Sequence, residues 1–157
     1  MKIYLGTDHA GFEIKEELKP FLEELGHEVK DQGASEYNEE DDYPDFIIPV
    51  AKAVASDKES RGIILGGTGQ GEAIAANRIK GVRAVVFNGQ YEPHGGREVP
   101  DEIIMSREHN DANILSLGAR FLTADEAKRA ITKWLATPFS EEERHIRRLE
   151  KIENLSS

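Results

Sequence analysis

The chain has 157 residues, of which 38% are hydrophobic and 32% are charged, and a formal net charge of −10 at pH 7, values typical of one soluble globular domain. The acidic balance argues against binding to nucleic acid or to an anionic membrane over a broad surface, and no apolar run is long enough to cross a bilayer. The absence of cysteine excludes disulfides, thiolate metal sites and cysteine nucleophiles, and the N-terminus lacks the features of a secretory signal, so we expect a cytoplasmic protein.

The start of the chain predicts two strands with a helix between them. Lys2–Thr7 is a short strand-like run, and Glu13–Leu25 has apolar residues at helical spacing with Gly26 after it as a stop. Pro20 inside that segment argues against an unbroken helix. Glu28–Asp31 predicts the second strand.

The middle of the chain continues the alternation after a polar, acidic loop at 33–43. Pro44–Ser56 predicts a helix, in which Pro49 suggests a kink or a later start. An apolar strand follows at Arg61–Leu65, and then a helix at Glu72–Ile79 that Gly81 closes.

The C-terminal half predicts two more strands and three more helices. The Thr123/Glu126 and Ser140/Glu143 pairs have the spacing of capping boxes, which predicts helices running to Ala136 and to about Asn154. The remaining elements are a strand at Arg83–Phe87, a loop at Asn88–Pro100, a helix at Asp101–His109 and a strand at Ile114–Leu117.

Strands that alternate with helices indicate βαβ units, and therefore a parallel sheet covered on both faces in a single domain over residues 1–157. Right-handed crossovers place every strand-to-helix loop on one edge of such a sheet, which is where ligands bind. Here those loops are Asp8–Gly11, Gly66–Gly71, the segment from Asn88 onward, and Gly118–Arg120.

The stretch Gly66–Arg78, GGTGQGEAIAANR, concentrates glycine between an apolar strand and a helix. It is not a Walker loop, because no Gly-Lys-Ser/Thr follows, and it matches the dinucleotide fingerprint poorly. The next strand ends in Phe87-Asn88, where a ribose-binding acid would be expected. Two interpretations stay open: a tight turn packed on the sheet, or a loop whose N–H groups bind an anion.

Glu72 follows this loop directly and suggests a chemistry for it. We expect the N–H donors and the positive end of the helix to favour the ionised form of its carboxyl group. A carboxylate beside an oxyanion-binding loop suits removal of a proton from a carbon next to a carbonyl group. The alternative is an ordinary first-turn acid that interacts only with the helix dipole.

Five blocks occur in order along nearly the whole chain: TDHAGFEIKEEL, DYPDF, GGTGQGEAIAANRIKGVRA, SREHNDANILSLGAR and TPFSEEERHIRRLEKIE. Together they resemble the ribose-5-phosphate isomerase B family, which includes the galactose-6-phosphate isomerase subunits. The resemblance implies a three-layer αβα Rossmann-like fold with a mainly parallel five-stranded sheet and a C-terminal helix. It also implies an aldose–ketose isomerase of phosphorylated sugars that needs no cofactor and no metal, with ribose 5-phosphate as the expected substrate.

The same resemblance implies a homodimer or tetramer with active sites shared between subunits, in which the helix at about 140–154 contacts a partner. Many family members have a cysteine base at the position of Gly67, whereas this chain resembles the branch in which the glutamate, here Glu72, is the base. The other implied roles are ring opening by His109, substrate binding, and phosphate binding. The substrate-binding residues are Thr68, Asp8, His9, Tyr43, Gly67, Gly69, Gly71 and Asn110, and the phosphate-binding residues are Arg120, Arg144, Arg148 and the adjacent His145.

A purely structural role for several of these residues stays open on the sequence alone. Asp8 and His9 could form a helix cap, His109 could be a polar helix end, and Arg144 and Arg148 could pair with neighbouring glutamates. Ile146, Leu149 and Ile152 form an apolar stripe on the same helix as these arginines. The acidic run Glu36–Asp42 lacks calcium-loop spacing and is expected to be solvated.

Two other functions stay open beside the pentose isomerase. One is an isomerase of a six-carbon sugar phosphate, such as allose or galactose 6-phosphate, and the other is a non-catalytic sugar-phosphate-binding protein. The segment 88–105, NGQYEPHGGREVPDEIIM, is longer than the family's usual segment, so the identity of the sugar depends most on it. His94 in this segment is interpreted as a surface residue that could approach the substrate.

Overall fold

The computed structural model of the protein describes residues 1–92 and 95–156, so His94 lies outside the described residues. Five parallel strands form one sheet in the order β2-β1-β3-β5-β4, which confirms the predicted sheet and makes it wholly parallel. The strands are β1 Lys2–Thr7, β2 Glu28–Asp31, β3 Arg61–Gly66, β4 Ala84–Phe87 and β5 Ile114–Gly118.

Helices cover both faces of the sheet and complete the predicted three-layer arrangement. Short 3₁₀ turns lie at His9–Gly11 and Asn154–Ser156. No helix in the described part of the chain has the length and apolar character that a membrane span requires. The helices are α1 Phe12–Glu24, α2 Tyr43–Ser56, α3 Gln70–Ala76, α4 Glu102–Glu108, α5 Ala124–Ala136 and α6 Glu143–Glu153.

Residues of alternate parity along each strand pack into two separate cores, as a sheet covered on both sides requires. On one face Leu5 and Leu117 pack against α1, α4 and α5, with Trp134 fully buried. On the other face Ile64 and Ile114 pack against α2 and α3. The helices that follow β1 and β3 therefore lie on opposite faces, and the cleft between these two strands is the switch point where α/β sheets bind ligands.

The expected break at Pro20 is wrong, because α1 continues through it, and the later start at Pro49 is wrong, because α2 begins at Tyr43. A kink at Pro49 stays a prediction. Each proline removes one N–H donor from its helix. Buried neighbours such as Leu22 in α1 and Val50 in α2 pack on the sheet, and this packing holds both helices in place.

One predicted capping box is confirmed and the other is wrong. At the start of α5 the Thr123 hydroxyl accepts from the Glu126 N–H, and the Glu126 carboxylate accepts from the Thr123 N–H. The last helix has Glu142 as its N-cap, without a side-chain capping bond. The Ser140 hydroxyl instead donates to the Glu108 carbonyl at 2.7 Å, which ties this segment to the end of α4.

Candidate active site

The loops after β1 and β3 meet at the carboxyl edge of the sheet, as predicted, and bring together most of the expected substrate-binding residues. Asp8 caps the 3₁₀ turn by accepting from the Ala10 N–H at 3.0 Å, which confirms that this residue forms a helix cap. The Tyr43 side chain packs on Gly71, where an added Cβ would lie 2.8 Å from the Tyr43 hydroxyl.

Glu72 is the third residue of α3 and is almost completely buried, with 5% of its surface exposed. Its carboxyl group lies directly over the Gly66 backbone, so that any Cβ at Gly66 would overlap it. Burial raises the pKa of Glu72; its own backbone N–H opposes this shift, and the nearby Asp8 carboxylate adds to it. The expectation that the ionised form is favoured is therefore wrong, because the cost of burying the charge exceeds what the backbone hydrogen bond returns.

Two side chains from neighbouring elements hold the glycine-rich loop, one from strand β5 and one from the loop after β4. The Ser116 hydroxyl donates to the Gly69 carbonyl at 2.7 Å, and the Asn88 amide donates to the Thr68 carbonyl at 3.0 Å. Gly69 adopts a left-handed conformation with φ of 74°, which glycine accepts without strain. Among the described residues, the N–H groups of Thr68, Gly69 and Gly71 donate to no other group, so the loop offers donors to a ligand beside Glu72.

Arg120 brings a cation to the same edge. Its backbone N–H donates to the Gly67 carbonyl at 3.1 Å. Its guanidinium group packs against Gly67, where an added Cβ would lie 3.1 Å from the Arg120 Cζ atom. The side chain is exposed at the mouth of the loop. It can therefore reach an anionic group bound there.

Asp41 also lies at this edge of the sheet, and the sequence did not predict it as a site residue. It was assigned to a solvated acidic run, yet its side chain is 10% exposed and one oxygen lies 2.7 Å from His9 Nδ1. Residues 32 positions apart meet here because the loop after β2 folds back over the end of β1, and no local pattern in the sequence predicts such a contact.

Asp8, His9 and Asp41 are the described side chains whose acidic and imidazole atoms lie close enough together, within 4.8 Å, to surround a cation. Their short contacts are hydrogen bonds. Asp8 accepts from the Ala10 N–H, and Asp41 is bonded to the backbone N–H and to the ring Nδ1 of His9. We therefore interpret the group as a hydrogen-bonded cluster. The expected lack of a metal stays a prediction.

The other five predicted site residues form a second group elsewhere on the molecule. His109 and His145 stack with ring centroids 4.2 Å apart and an interplanar angle of 15°. Burial lowers the pKa of His145, and the neighbouring His109 and Arg144 lower it further. Arg144 forms an ion pair with Glu142 at 2.8 Å, as the alternative of pairing with a neighbouring glutamate predicted. Asn110 and Arg148 are exposed in the same region.

This second group lies at the amino edge of the sheet. His109 ends α4 shortly before Asn113, whose carbonyl accepts from the Gly62 N–H at the start of β3. The whole length of β3, six residues or roughly 16 Å, separates this edge from Glu72. One chain therefore carries two predicted half-sites, with Glu72 at one edge and the stacked histidines and the arginines at the other.

The helix that carries the second group also presents an uncovered apolar stripe. Ile146 is 39% exposed and Ile152 is 53% exposed, and Leu149 between them is half-buried. Within the described residues, α6 is joined to the rest of the chain mainly by the histidine stack and by an ion pair of 3.0 Å from Arg83 to Glu153.

Comparison with known proteins accounts for both the fold and the blocks of sequence. Residues 3–152 match the family described as Ribose/Galactose Isomerase. Proteins named ribose-5-phosphate isomerase B from Mycobacterium tuberculosis and Escherichia coli are each 40% identical over 151 residues, which is 96% of this chain and 86% and 93% of theirs.

Solved structures agree with the sequence relatives. Ribose-5-phosphate isomerase B from Clostridium thermocellum superposes with a TM-score of 0.87 at 43% identity, covering 99% of this chain and 97% of that one. The Mycoplasma genitalium enzyme with bound ribulose-5-phosphate gives a TM-score of 0.89 at 31% identity, covering 99% and 95%. The chain belongs to the ribose/galactose isomerase family.

Proposed function

We propose that this chain is an aldose–ketose isomerase that interconverts ribose 5-phosphate and ribulose 5-phosphate. The names of its relatives and the ribulose-5-phosphate in the Mycoplasma genitalium structure support this substrate. The observation that carries the mechanism is the buried Glu72 carboxyl group beside a loop with unused N–H donors. We also propose a cytoplasmic enzyme that uses no cofactor.

In this mechanism the Glu72 carboxylate removes the proton from carbon two of the open-chain aldose, exchanges it with solvent, and delivers a proton to carbon one. The electron pair left by the proton forms the double bond between carbons one and two, and the carbonyl electrons move to the oxygen on carbon one, which gives an enediolate. When carbon one is protonated, the hydroxyl proton on the oxygen of carbon two passes to the oxygen of carbon one, which leaves the ketose. The N–H groups of Thr68, Gly69 and Gly71, with the Thr68 hydroxyl, stabilise that oxygen as its charge develops. Asp8, His9 and Tyr43 hold the sugar oxygens around the base.

The two half-sites of one chain become complete sites if two chains pair. We propose a homodimer in which the carboxyl edge of one subunit faces the amino edge of the other. Each site then receives Glu72 and Arg120 from one chain, and His109, Arg144 and Arg148 from its partner. Arg144 and Arg148 lie four residues apart on one helix face, so both reach one phosphate group.

In this arrangement His109 assists opening of the sugar ring and Asn110 contacts the sugar, while His145, whose pKa burial lowers, lies beside the arginines that bind the phosphate. The exposed stripe of Ile146 and Ile152 is then covered by the partner subunit. Phosphate contacts supply binding energy remote from the reacting carbons.

We expect the acid limb of the pH–activity profile to report the raised pKa of Glu72. Only the ionised carboxylate accepts a proton, so kcat/KM falls as the pH drops through that pKa. Since burial raises the pKa, the midpoint is expected above the ordinary glutamate value of about 4.3. Initial rates measured from about pH 4 to pH 8 check this, and a midpoint at or below the ordinary value would contradict the burial argument.

A panel of aldose phosphates tests the choice of substrate. We expect kcat/KM to be highest for ribose 5-phosphate, lower for allose 6-phosphate and galactose 6-phosphate, and unmeasurable for ribose, which lacks the phosphate. A higher value for a six-carbon sugar would identify the protein as an isomerase of that sugar. Binding of a sugar phosphate without turnover of any sugar would identify it as a sugar-phosphate-binding protein.

A further inference from the structure

Asp41 makes a contact with His9 that neither the sequence blocks nor the proposed mechanism explains. One oxygen of Asp41 accepts from the His9 backbone N–H at 3.1 Å and faces His9 Nδ1 at 2.7 Å. The other oxygen, Oδ2, is buried without a hydrogen-bond partner among the described residues. A carboxylate held this way fixes both the backbone and the ring of the histidine.

The loop that carries Asp41 is itself fixed to the end of β1. Lys15 is fully buried and donates to the Asp31 carboxylate at 2.7 Å and to the Ala34 carbonyl at 2.6 Å. The Ala34 N–H in turn donates to the Thr7 carbonyl at 2.9 Å, one residue before Asp8. These bonds bring the start of the long acidic loop next to the site, so that its far end returns over His9.

Helix capping does not account for Asp41, because Asp8 already caps the turn that contains His9. The Asp41 oxygen takes up the Nδ1 side of the imidazole ring, while Nε2 has no hydrogen-bond partner among the described residues. Tyr37 packs its ring edge-on against the imidazole at 6.1 Å between centroids. The ring is therefore held on one side and is free to contact a ligand through Nε2.

We propose that Asp41 is a positioning residue of the sugar site. It holds the His9 ring with Nδ1–H directed at the Asp41 carboxylate, so that Nε2 contacts a sugar oxygen. This inference rests on the proposed function, in which His9 binds the sugar. The hydrogen bond that the Asp41 carboxylate accepts raises the pKa of His9, as does the charge of Asp8, while burial and the charge of Arg120 lower it. Among the described residues, Asp41, Asp8 and Arg120 are the charged groups that shift the pKa of the imidazole.

The test replaces Asp41 by Asn, with Glu40→Gln as the matched control. Glu40 is the preceding residue, is exposed, and its carboxylate makes no hydrogen bond among the described residues. Each variant loses one negative charge from the same loop. We expect Asp41→Asn to lower kcat/KM for ribose 5-phosphate roughly 10- to 100-fold, the equivalent of one charge-assisted hydrogen bond, mainly through KM. Glu40→Gln should match the wild-type protein.

Histidine NMR supplies a readout that a merely structural role would not change. In the wild-type protein, the ¹⁵N shifts of His9, assigned with a His9→Gln variant, should show a protonated Nδ1. In Asp41→Asn the pKa of His9 should fall and the fixed tautomer should be lost. If Asp41→Asn does not fold, the wild-type spectrum alone decides: a neutral His9 with its proton on Nε2 overturns the proposal.

The outcomes separate this inference from the proposed function. An active wild type with an equally active Asp41→Asn variant overturns the positioning role, and so does a loss of activity with unchanged His9 titration and tautomer. A wild type that isomerises no sugar phosphate refutes the proposed function instead. The NMR comparison then still decides whether Asp41 orients His9.

Discussion

Replacing Glu72 by Gln is expected to leave the protein folded and to lower kcat for ribose 5-phosphate by roughly 10³-fold or more, the upper range for loss of a general base. Glutamine has the same shape and can occupy the space over Gly66, but its amide cannot accept the proton. Glu13→Gln is the matched control, because Glu13 is also a first-turn acid, on α1, and is exposed. Steady-state kinetics on the three proteins measures the effect.

The same variant should be more stable than the wild type at neutral pH. Because the pKa of Glu72 is raised in the folded protein, the folded state loses stability as the pH rises through that pKa and the buried carboxyl ionises. Glutamine carries no charge and avoids this loss. Thermal unfolding should therefore show a higher midpoint for Glu72→Gln at pH 7, and the difference should shrink as the pH falls below the pKa. A less stable variant would indicate that Glu72 is a structural residue.

Mixing two inactive variants is expected to restore activity, because the proposed site combines residues from two chains. His109→Asn should lose roughly 10²-fold or more through the missing acid–base group. In a mixed dimer of Glu72→Gln and His109→Asn chains, one site carries both substitutions and the other carries neither. Random pairing makes half of the dimers mixed, so activity should recover to about one quarter of the wild-type value.

The mixing experiment needs exchange of subunits, which co-expression with two different affinity tags provides. Purification through both tags isolates the mixed dimer, whose activity should be about half that of the wild type. A mixture of Glu72→Gln with Arg120→Ala is the control, because both residues lie at the carboxyl edge of one chain. That pair should not recover. Absence of recovery with His109→Asn would contradict a site shared between Glu72 of one chain and His109 of its partner.

Most of the fold follows from local patterns of the sequence. The strand at Lys2–Thr7 and the strand at Glu28–Asp31 have the predicted bounds, and the Thr123/Glu126 capping box forms as expected. Alternating strands and helices then leave a parallel sheet with its loops at one edge as the only simple arrangement. The sequence alone therefore places the Gly66–Gly71 loop and Asp8 at that edge.

The features that the sequence did not predict depend on contacts between distant residues. Asp41 meets His9 across 32 positions, and nothing in the acidic run distinguishes it from its exposed neighbours. The pKa of Glu72 rises because the carboxyl group folds back over Gly66, a direction that sequence spacing does not specify. Ser140 failed as a cap because the Glu108 carbonyl, on another helix, takes its hydroxyl.

In the proposed mechanism Glu72 transfers a proton at carbon, and exchange with deuterated water observes this step directly. Wild-type protein incubated with ribose 5-phosphate in D₂O should introduce deuterium at carbon one of ribulose 5-phosphate or at carbon two of recovered ribose 5-phosphate, detected by proton NMR. Glu72→Gln should introduce none above the uncatalysed background, although it still binds the sugar. Exchange at the wild-type rate in Glu72→Gln would contradict the assignment of the buried carboxylate as the base.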